Sequence, residues 1–354
     1  MDFFPLYRET TNLIFGGRVF KTRRAMLEPF NASPGAGKIP TSITQYDMLP
    51  KRKDAPGYRM FCLAVSGDGT ILAVAGEDGR IFSWSRGSTL PFTTLGGLAS
   101  VEKMLFMPGD ERLLAFLEDG TIHAWNPGTA QPAINVVAAH AKGIHAARLA
   151  SDHLELFTGG LDGWIRSWTI SNFELLHEIK SPKHGVLSLL PCKDDGNAFL
   201  YSGNVNGTIA MIDADEWKLV HSIPAHNGPV YYLGQIASRL FISAGDDDFM
   251  RFWRIGNEHS SLEVHAGQGK VLDVLLLEPA FNLALKVDQG SRLLASAGGD
   301  GTIVLWEIDV DSIACRQVAK FPAHERTIEQ LVPDPAGGAF YSLAADGCVK
   351  HWMA

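Results

Sequence analysis

From about residue 42 onward the chain alternates short apolar runs with clusters of Gly, Asp, Asn and Pro, the pattern of strands and turns. One such stretch is Asp300-Gly301-Thr302-Ile303-Val304-Leu305-Trp306: an Asp-Gly pair suited to a tight turn, then a β-branched strand ending on Trp. The frame returns as Asp78-Gly79 with Trp84, Asp119-Gly120 with Trp125, and Asp162-Gly163 with Trp168. It continues as Asn206-Gly207 with Ile212, Asp247-Asp248 with Trp253, and Asp346-Gly347 with Trp352. In all seven the aromatic, or the Ile in its place, stands six residues after the turn acid or amide. Six of the eight tryptophans fall in this register, so the unit is an internal repeat.

Within each repeat an apolar strand comes first, such as Met60 to Val65 or Val230 to Leu233, then a second, such as Ile71 to Ala75 or Leu240 to Ser243. The acidic turn leads into the Trp-terminated third strand, and a more polar fourth, such as Glu174 to Glu178 or Leu219 to Ile223, carries the chain onward. Four short strands per ~40–45 residues is the signature of a propeller blade. The sixth repeat is longer, with an insertion from Leu275 to Arg292 that maps to a loop.

Further positions recur. Four residues before the turn position stand Thr158, Ser202, Ser243, Ser296 and Ser342, and ahead of the same repeats stand His140, His184, His226, His265 and His324. On these turn, hydroxyl, His and Trp spacings, residues 42–354 resemble the WD40-repeat family. The resemblance implies an all-β, seven-bladed WD40-type β-propeller with a short, irregular N-terminal extension. It also implies a polar chain in each complete blade: indole N–H to hydroxyl, hydroxyl to imidazole, imidazole to carboxylate. The expected members are His140, Thr158, Asp162 and Trp168; His226, Ser243, Asp247 and Trp253; His265, Ser296, Asp300 and Trp306; His324, Ser342, Asp346 and Trp352. Repeat four keeps His184 and Ser202 but has Asn206 and Ile212, while repeats one and two have Val74 and Ala115 at the hydroxyl position and are expected to rely on packing. The Asp that names the family follows only Ile212, as Asp213; Ser85, Asn126, Thr169, Arg254, Glu307 and Met353 follow the tryptophans.

Two regions are expected: residues 1–41 as an extension, and 42–354 as the propeller. After Trp352 only Met353 and Ala354 remain, so the last blade needs a fourth strand from elsewhere, and residues 43–48 are the candidate. Such pairing would remove a dangling sheet edge. No apolar run is long enough to span a bilayer, and no membrane association is expected. A mitochondrial leader over the Arg-bearing N-terminus is weakened by Asp2, Glu9 and Glu28, leaving a cytoplasmic or nuclear protein as the expectation.

The formal charge of −8 argues against nucleic-acid binding by the whole surface. Residues 1–58, however, carry nine Lys/Arg against five Asp/Glu, a balance of +4 that leaves −12 for the remainder. Cys62, Cys192, Cys315 and Cys348 are far apart, fitting reduced thiols. Recurrent His–Ser–Asp sets suggest nucleophilic catalysis, but repetition alongside Trp assigns them to structure. Ser33-Pro34-Gly35-Ala36-Gly37-Lys38 fails as a phosphate loop because Ala32 stands where the first Gly is needed and Ile39 follows the Lys. Lys51-Arg52-Lys53 is read as a solvated loop or a nuclear-import or phosphate-binding cluster. No catalytic, metal or cofactor site is expected.

Propellers of the resembled family bind partners around the channel mouth. The residues expected there are Arg59, Phe61, Glu77, Glu102, Glu118, His145, Tyr231, Asp246 and Glu329, with Leu161, Val205, Gly299 and Ala345 completing the turn positions. Acids with a few aromatics suit a basic or mixed peptide. The expected function is a non-catalytic scaffold or adaptor for protein–protein interactions in a larger assembly. The alternative is a ribonucleoprotein or RNA-processing component whose residues 1–58 touch nucleic acid. A ubiquitin-ligase substrate receptor is weaker, because no Trp-Asp is followed two residues later by Arg. Oligomeric state stays open.

Overall fold

The computed structural model describes strands at 10–15, 18–25 and 43–45, and residues 59–353 except 87, 89–92, 97, 110–111, 128–130, 151–152, 183, 195, 280, 282–286 and 289. The first three strands are β1 (Thr10–Phe15), β2 (Arg18–Ala25) and β3 (Ile43–Gln45), paired in that order. Blade one comprises β4 (Met60–Val65), β5 (Ile71–Gly76), β6 (Ile81–Ser85) and β7 (Thr93–Leu95). Blade two comprises β8 (Val101–Phe106), β9 (Leu113–Leu117), β10 (Thr121–Asn126) and β11 (Gln131–Ala138). Blade three holds β12 (Ile144–Leu149), β13 (Glu155–Gly160), β14 (Trp164–Thr169) and β15 (Leu175–Lys180). Blade four holds β16 (Val186–Asp194), β17 (Asn197–Asn204), β18 (Thr208–Asp213) and β19 (Lys218–Pro224). Blade five holds β20 (Val230–Ala237), β21 (Leu240–Gly245), β22 (Phe249–Arg254) and β23 (Leu262–His265). Blade six holds β24 (Val271–Leu276), β25 (Ser291–Gly298), β26 (Thr302–Asp309) and β27 (Ala314–Pro322). Blade seven holds β28 (Ile328–Pro333), β29 (Ala339–Ala344) and β30 (Val349–Met353).

Every sheet is an antiparallel meander, and the first strands follow one another in a circle, with β28 returning to β4. The fold is an all-β, seven-bladed propeller. Its core is not one cluster but seven, each shared by two neighbouring blades. Each repeat Trp, or Ile212, packs against the blade before its own: Trp84 against Leu343 and Val349, Trp306 against Ile242 and Phe252. A blade therefore buries its apolar faces only with both neighbours present, and the ring must close.

The N-terminal extension differs from the expected irregular arm, because it contains the β1–β2 hairpin. The two strands pair antiparallel from Thr10 with Arg23 to Phe15 with Arg18. The β3 strand, at the start of the proposed closing segment, bonds to β2 and also lies beside β30.

Candidate functional site

One local irregularity organises the channel mouth. In all seven blades the first strand slips by one residue against the second, at Met60/Cys62, Val101/Lys103, Ile144/Ala146, Val186/Ser188, Val230/Tyr232, Val271/Asp273 and Ile328/Gln330. The extra residue of each bulge is Phe61, Glu102, His145, Leu187, Tyr231, Leu272 or Glu329. A bulge re-aims its side chain. Here the residue before it is an apolar anchor, fully buried in six of the blades, so the extra residue is left for the mouth. Five of the nine expected partner-face residues are bulge residues, a backbone cause that strand spacing alone does not reveal.

The nine stand together. Arg59 Nη2 donates to Glu329 Oε1 at 2.7 Å and Arg59 N to Glu77 Oε2 at 3.1 Å, while its guanidinium lies 5.4 Å from the Phe61 ring centre. The bond to Glu329, with the nearby charges of Glu77 and Glu102, raises the Arg59 pKa against the opposing effect of burial. Across the mouth, the Tyr231 hydroxyl donates to Asp246 Oδ1 at 3.1 Å, and burial with that carboxylate pushes its pKa up to about 12. His145 Nδ1 lies 3.5 Å from Glu102 Oε2, and burial lowers its pKa although Glu102 and Glu118 favour its charged form. Arg59 therefore offsets part of the acidic rim. Glu118 and Asp246 remain exposed on either side of a sector carrying half-buried Leu161 and exposed Val205.

The polar chains vary by blade. In blade three Trp168 Nε1 donates to Thr158 Oγ1 at 2.9 Å, Thr158 lies 2.8 Å from His140 Nε2, and His140 Nδ1 lies 3.0 Å from Asp162 Oδ1. Blade five repeats this with Trp253, Ser243, His226 and Asp247 at 2.9, 2.7 and 2.8 Å. Burial lowers both histidine pKa values; the two aspartates, although burial opposes it, are held low by backbone N–H groups and the imidazoles. In blade seven Trp352 Nε1 donates to Ser342 at 2.8 Å and His324 Nε2 lies 2.6 Å from the same hydroxyl, but Asp346 instead accepts from Cys348 N. Burial, helped by Lys350, drives His324 to a pKa of about 3.

Blade six corrects the sequence reading. His265 is exposed and lies 3.1 Å from Asp248, outside the chain. Ser296, which accepts from Trp306 Nε1 at 2.8 Å, donates instead to Gln268 Oε1 at 2.6 Å. Asp300 accepts from Thr302 and Lys320. The cause lies in the preceding turn. Gly120, Gly207 and Gly301 have positive φ and no Cβ, and a Cβ would come within 2.0–2.4 Å of the carbonyls of His140, His226 and His324. Blade five has Asp248 there, at φ 63°, and its carboxylate captures Gln268 N at 2.8 Å and the His265 ring. The turn residue's carbonyl bonds Ala139, Ala225 and Ala323 just before the network histidines, and bonds Ala266 here, so the equivalent of those histidines is Gly267. His184 is misplaced for a related reason. Ser181 takes the Ala position, and buried Asn204 accepts from Ser181 Oγ at 3.0 Å and from Ser202 Oγ at 3.5 Å.

Sequence reasoning missed a basic residue four positions after the turn acid. Arg166 donates to Ala139 O at 2.8 Å, Lys350 to Ala323 O at 2.5 Å, and Arg251 to Asp247 Oδ2 at 2.8 Å. Its signal was visible in the repeated spacing.

One position below the rim, just after the bulge, side chains stitch neighbouring blades. Cys62 Sγ lies 3.5 Å from Val101 O, and Ser188 Oγ donates to Val230 O at 3.0 Å. Asp273 Oδ2 accepts from Leu331 N at 2.8 Å, and Gln330 Oε1 from Leu63 N at 2.8 Å. A channel of about 290 Å³ runs through this level, lined by all seven first strands. Among the described residues no group of three or more His, Cys, Asp or Glu side chains could hold a metal ion.

A chain that closes seven such blades around a channel is a β-propeller built from repeats. The WD40 family, described as WD domain, G-beta repeat, matches residues 55–85 and 282–307. With the repeat spacing and blade geometry, this identifies the chain as a WD40-repeat protein. It is 22% identical over 297 residues to a transcriptional corepressor of Arabidopsis thaliana, LEUNIG_HOMOLOG, covering 83% of this chain and 35% of that protein. It is 29% identical over 193 residues to the ribosome biogenesis protein YTM1 of Kluyveromyces lactis, covering 45% of this chain and 43% of that protein. The crystal structure of the RRP9 WD40 repeats superposes with a TM-score of 0.73 at 14% identity, over 87% of this chain and 97% of that one. The matches thus span less than half the length of both these relatives.

Proposed function

We propose that this propeller is a non-catalytic scaffold that holds protein partners in a larger assembly through the rim around Tyr231, Asp246 and Glu118. WD40 propellers bind protein partners. The observation that carries the reading is the bulge repeated in all seven blades, which gathers Phe61, Glu102, His145, Tyr231 and Glu329 at one mouth. With Arg59 engaging Glu329 and Glu77, the exposed acids Glu118 and Asp246 flank an apolar sector at Leu161 and Val205, so the fitting partner is a mixed peptide with an apolar anchor and basic neighbours. The names of the relatives, a corepressor and a ribosome biogenesis protein, support work within assemblies and a nuclear location.

The test is quantitative affinity capture with the wild type and with Glu118→Lys/Asp246→Lys, followed by binding kinetics of the captured partner. The expected result is slower association of the variant and a weaker dependence on salt. Unchanged low-salt kinetics would move the site off this rim. A second reading, an RNA-processing component, draws on the +4 balance of residues 1–58 and on the ribosome biogenesis relative. A salt titration of RNA binding by full-length and arm-deleted protein tests it, since phosphate contacts give a steep salt slope that the deletion would abolish.

A further inference from the structure

The channel holds two cations that the rim does not use. Lys103 and Arg148 line it from adjacent blades, and neither makes a hydrogen bond or ion pair with any described residue. Lys103 stands just after its bulge, at the level where Ser188, Asp273 and Gln330 stitch blades, yet no described acceptor takes up its ammonium. Arg148 is two residues further along its strand than Ala146, the blade-three counterpart of Lys103, and so about 7 Å lower. The acid across the channel, Asp273, already accepts from Leu331 N and Val274 N at 2.8 and 3.0 Å, while the charges of both Lys103 and Arg148 bear on it. The remaining ionisable side chains lining the cavity are His145, whose imidazole faces Glu102 at the rim, and the phenols Tyr231 and Tyr232.

The channel interior is therefore cationic inside a protein whose formal charge is −8. Protein walls on every side focus that potential and strengthen it relative to open water. Two cations at different heights match an anion with two charged groups better than a single sphere, and a cavity of about 290 Å³ excludes anything larger than a small molecule. We infer that the central channel is a binding site for a small diphosphate-like oxyanion, held between Lys103 and Arg148, a role that goes beyond the rim's binding of proteins. Lys supplies a compact charge at the upper phosphate, and Arg a planar fork suited to two oxygens of the lower one.

The experiment is calorimetric titration of the full chain with pyrophosphate at constant ionic strength, with inorganic phosphate and sulfate as comparators. Saturable one-to-one binding is expected, tighter for pyrophosphate than for either comparator, each of which has a single oxyanion group. Lys103→Gln and Arg148→Gln should each weaken it by about tenfold or more, the loss of one charge-assisted contact. Asp273→Asn keeps an oxygen for Leu331 N, removes the competing charge, and should tighten binding. Lys142→Gln, exposed on a connection outside the channel, is the charge-matched control and should bind as the wild type does. Melting curves verify that each variant is folded. Absence of saturable binding, or equal binding by the Lys103→Gln/Arg148→Gln double variant, would overturn the site.

Discussion

Trp84 Nε1 is buried with no acceptor among the described residues, because Val74 stands where Thr158, in blade three, accepts from Trp168 at 2.9 Å. The blade-one indole thus bears a desolvation cost that its counterparts avoid. Val74→Thr places a hydroxyl at nearly the same volume within reach of that N–H, and should stabilise the fold by about 1 kcal/mol. Trp84→Phe should be close to neutral, whereas Trp253→Phe, which strips Ser243 of its donor, should lose roughly 1–3 kcal/mol. Chemical denaturation of the three variants decides it; equal losses for the two Phe variants would contradict the difference between the blades.

Gln268 and His265 offer a sharper contrast. Gln268 is fully buried and bonds Ser296 Oγ, Ser296 O and Thr302 O, while His265 is exposed. Gln268→Ala should therefore cost roughly 2–3 kcal/mol through unsatisfied buried groups, and His265→Ala less than about 0.5 kcal/mol. The reverse order in thermal or urea unfolding would restore His265 to the network.

That contrast also shows what was legible from the chain. The Asp-Gly and Trp register exposed the blade count, because strand and turn chemistry are local. The hydroxyls of blades three, five, six and seven sit at a fixed distance from their turn, so Thr158, Ser243, Ser296 and Ser342 could be counted. Histidines lie across a longer connection whose length changes: counting back from Asn206 lands on His184, two residues past the Ser181-Pro182 step that corresponds to Ala139-His140. The Ala-His dipeptides at 139–140, 225–226 and 323–324, against Ala266-Gly267, were the better alignment. The Lys103–Arg148 pair was out of reach of any spacing rule, because it depends on which strand neighbours close across the ring.

His324 gives the pH dependence its sign. Its folded pKa of about 3 lies below the ordinary ~6.5, so between those values the unfolded chain binds the proton and the folded one does not. Stability is full above ~6.5 and falls as the pH drops through this window, at up to about 1.4 kcal/mol per pH unit from this residue. His140 and His226, also lowered by burial, act in the same direction. His324→Gln can still bond Ser342 and cannot titrate. Its urea midpoint should decline less between pH 6.5 and 5 than that of the wild type, and parallel declines would show that His324 is not a source of the acid sensitivity.

The seam between blades seven and one is where ring closure can be tested, because two different devices meet there. At the rim, Met60 N donates to Ala345 O at 3.2 Å, and Arg59 pairs with Glu329 at 2.7 Å. At the opposite mouth the fully buried carboxylate of Asp334 accepts from Arg86 Nη2 and His351 Nε2, both at 2.9 Å, and from Ala336 N at 3.0 Å. Asp334→Ala removes the buried acceptor of His351 Nε2, Arg86 Nη2 and Ala336 N, and should cost roughly 2–3 kcal/mol. Asp194→Ala, whose partner Arg239 is 59% exposed, should cost less than about 1 kcal/mol. Strand closure is separable from this latch. The β3 strand lies along β30, the outer strand of a blade with three strands among the described residues, so it is placed to cover that edge. Deleting residues 1–40 retains β3 and should leave a soluble, cooperatively melting ring. Deleting residues 1–50 removes it, uncovers β30, and should promote association through the edge. Light scattering during thermal melts distinguishes the two truncations. If they scatter and melt alike while Asp334→Ala is strongly destabilised, the side-chain latch and not β3 closes the ring.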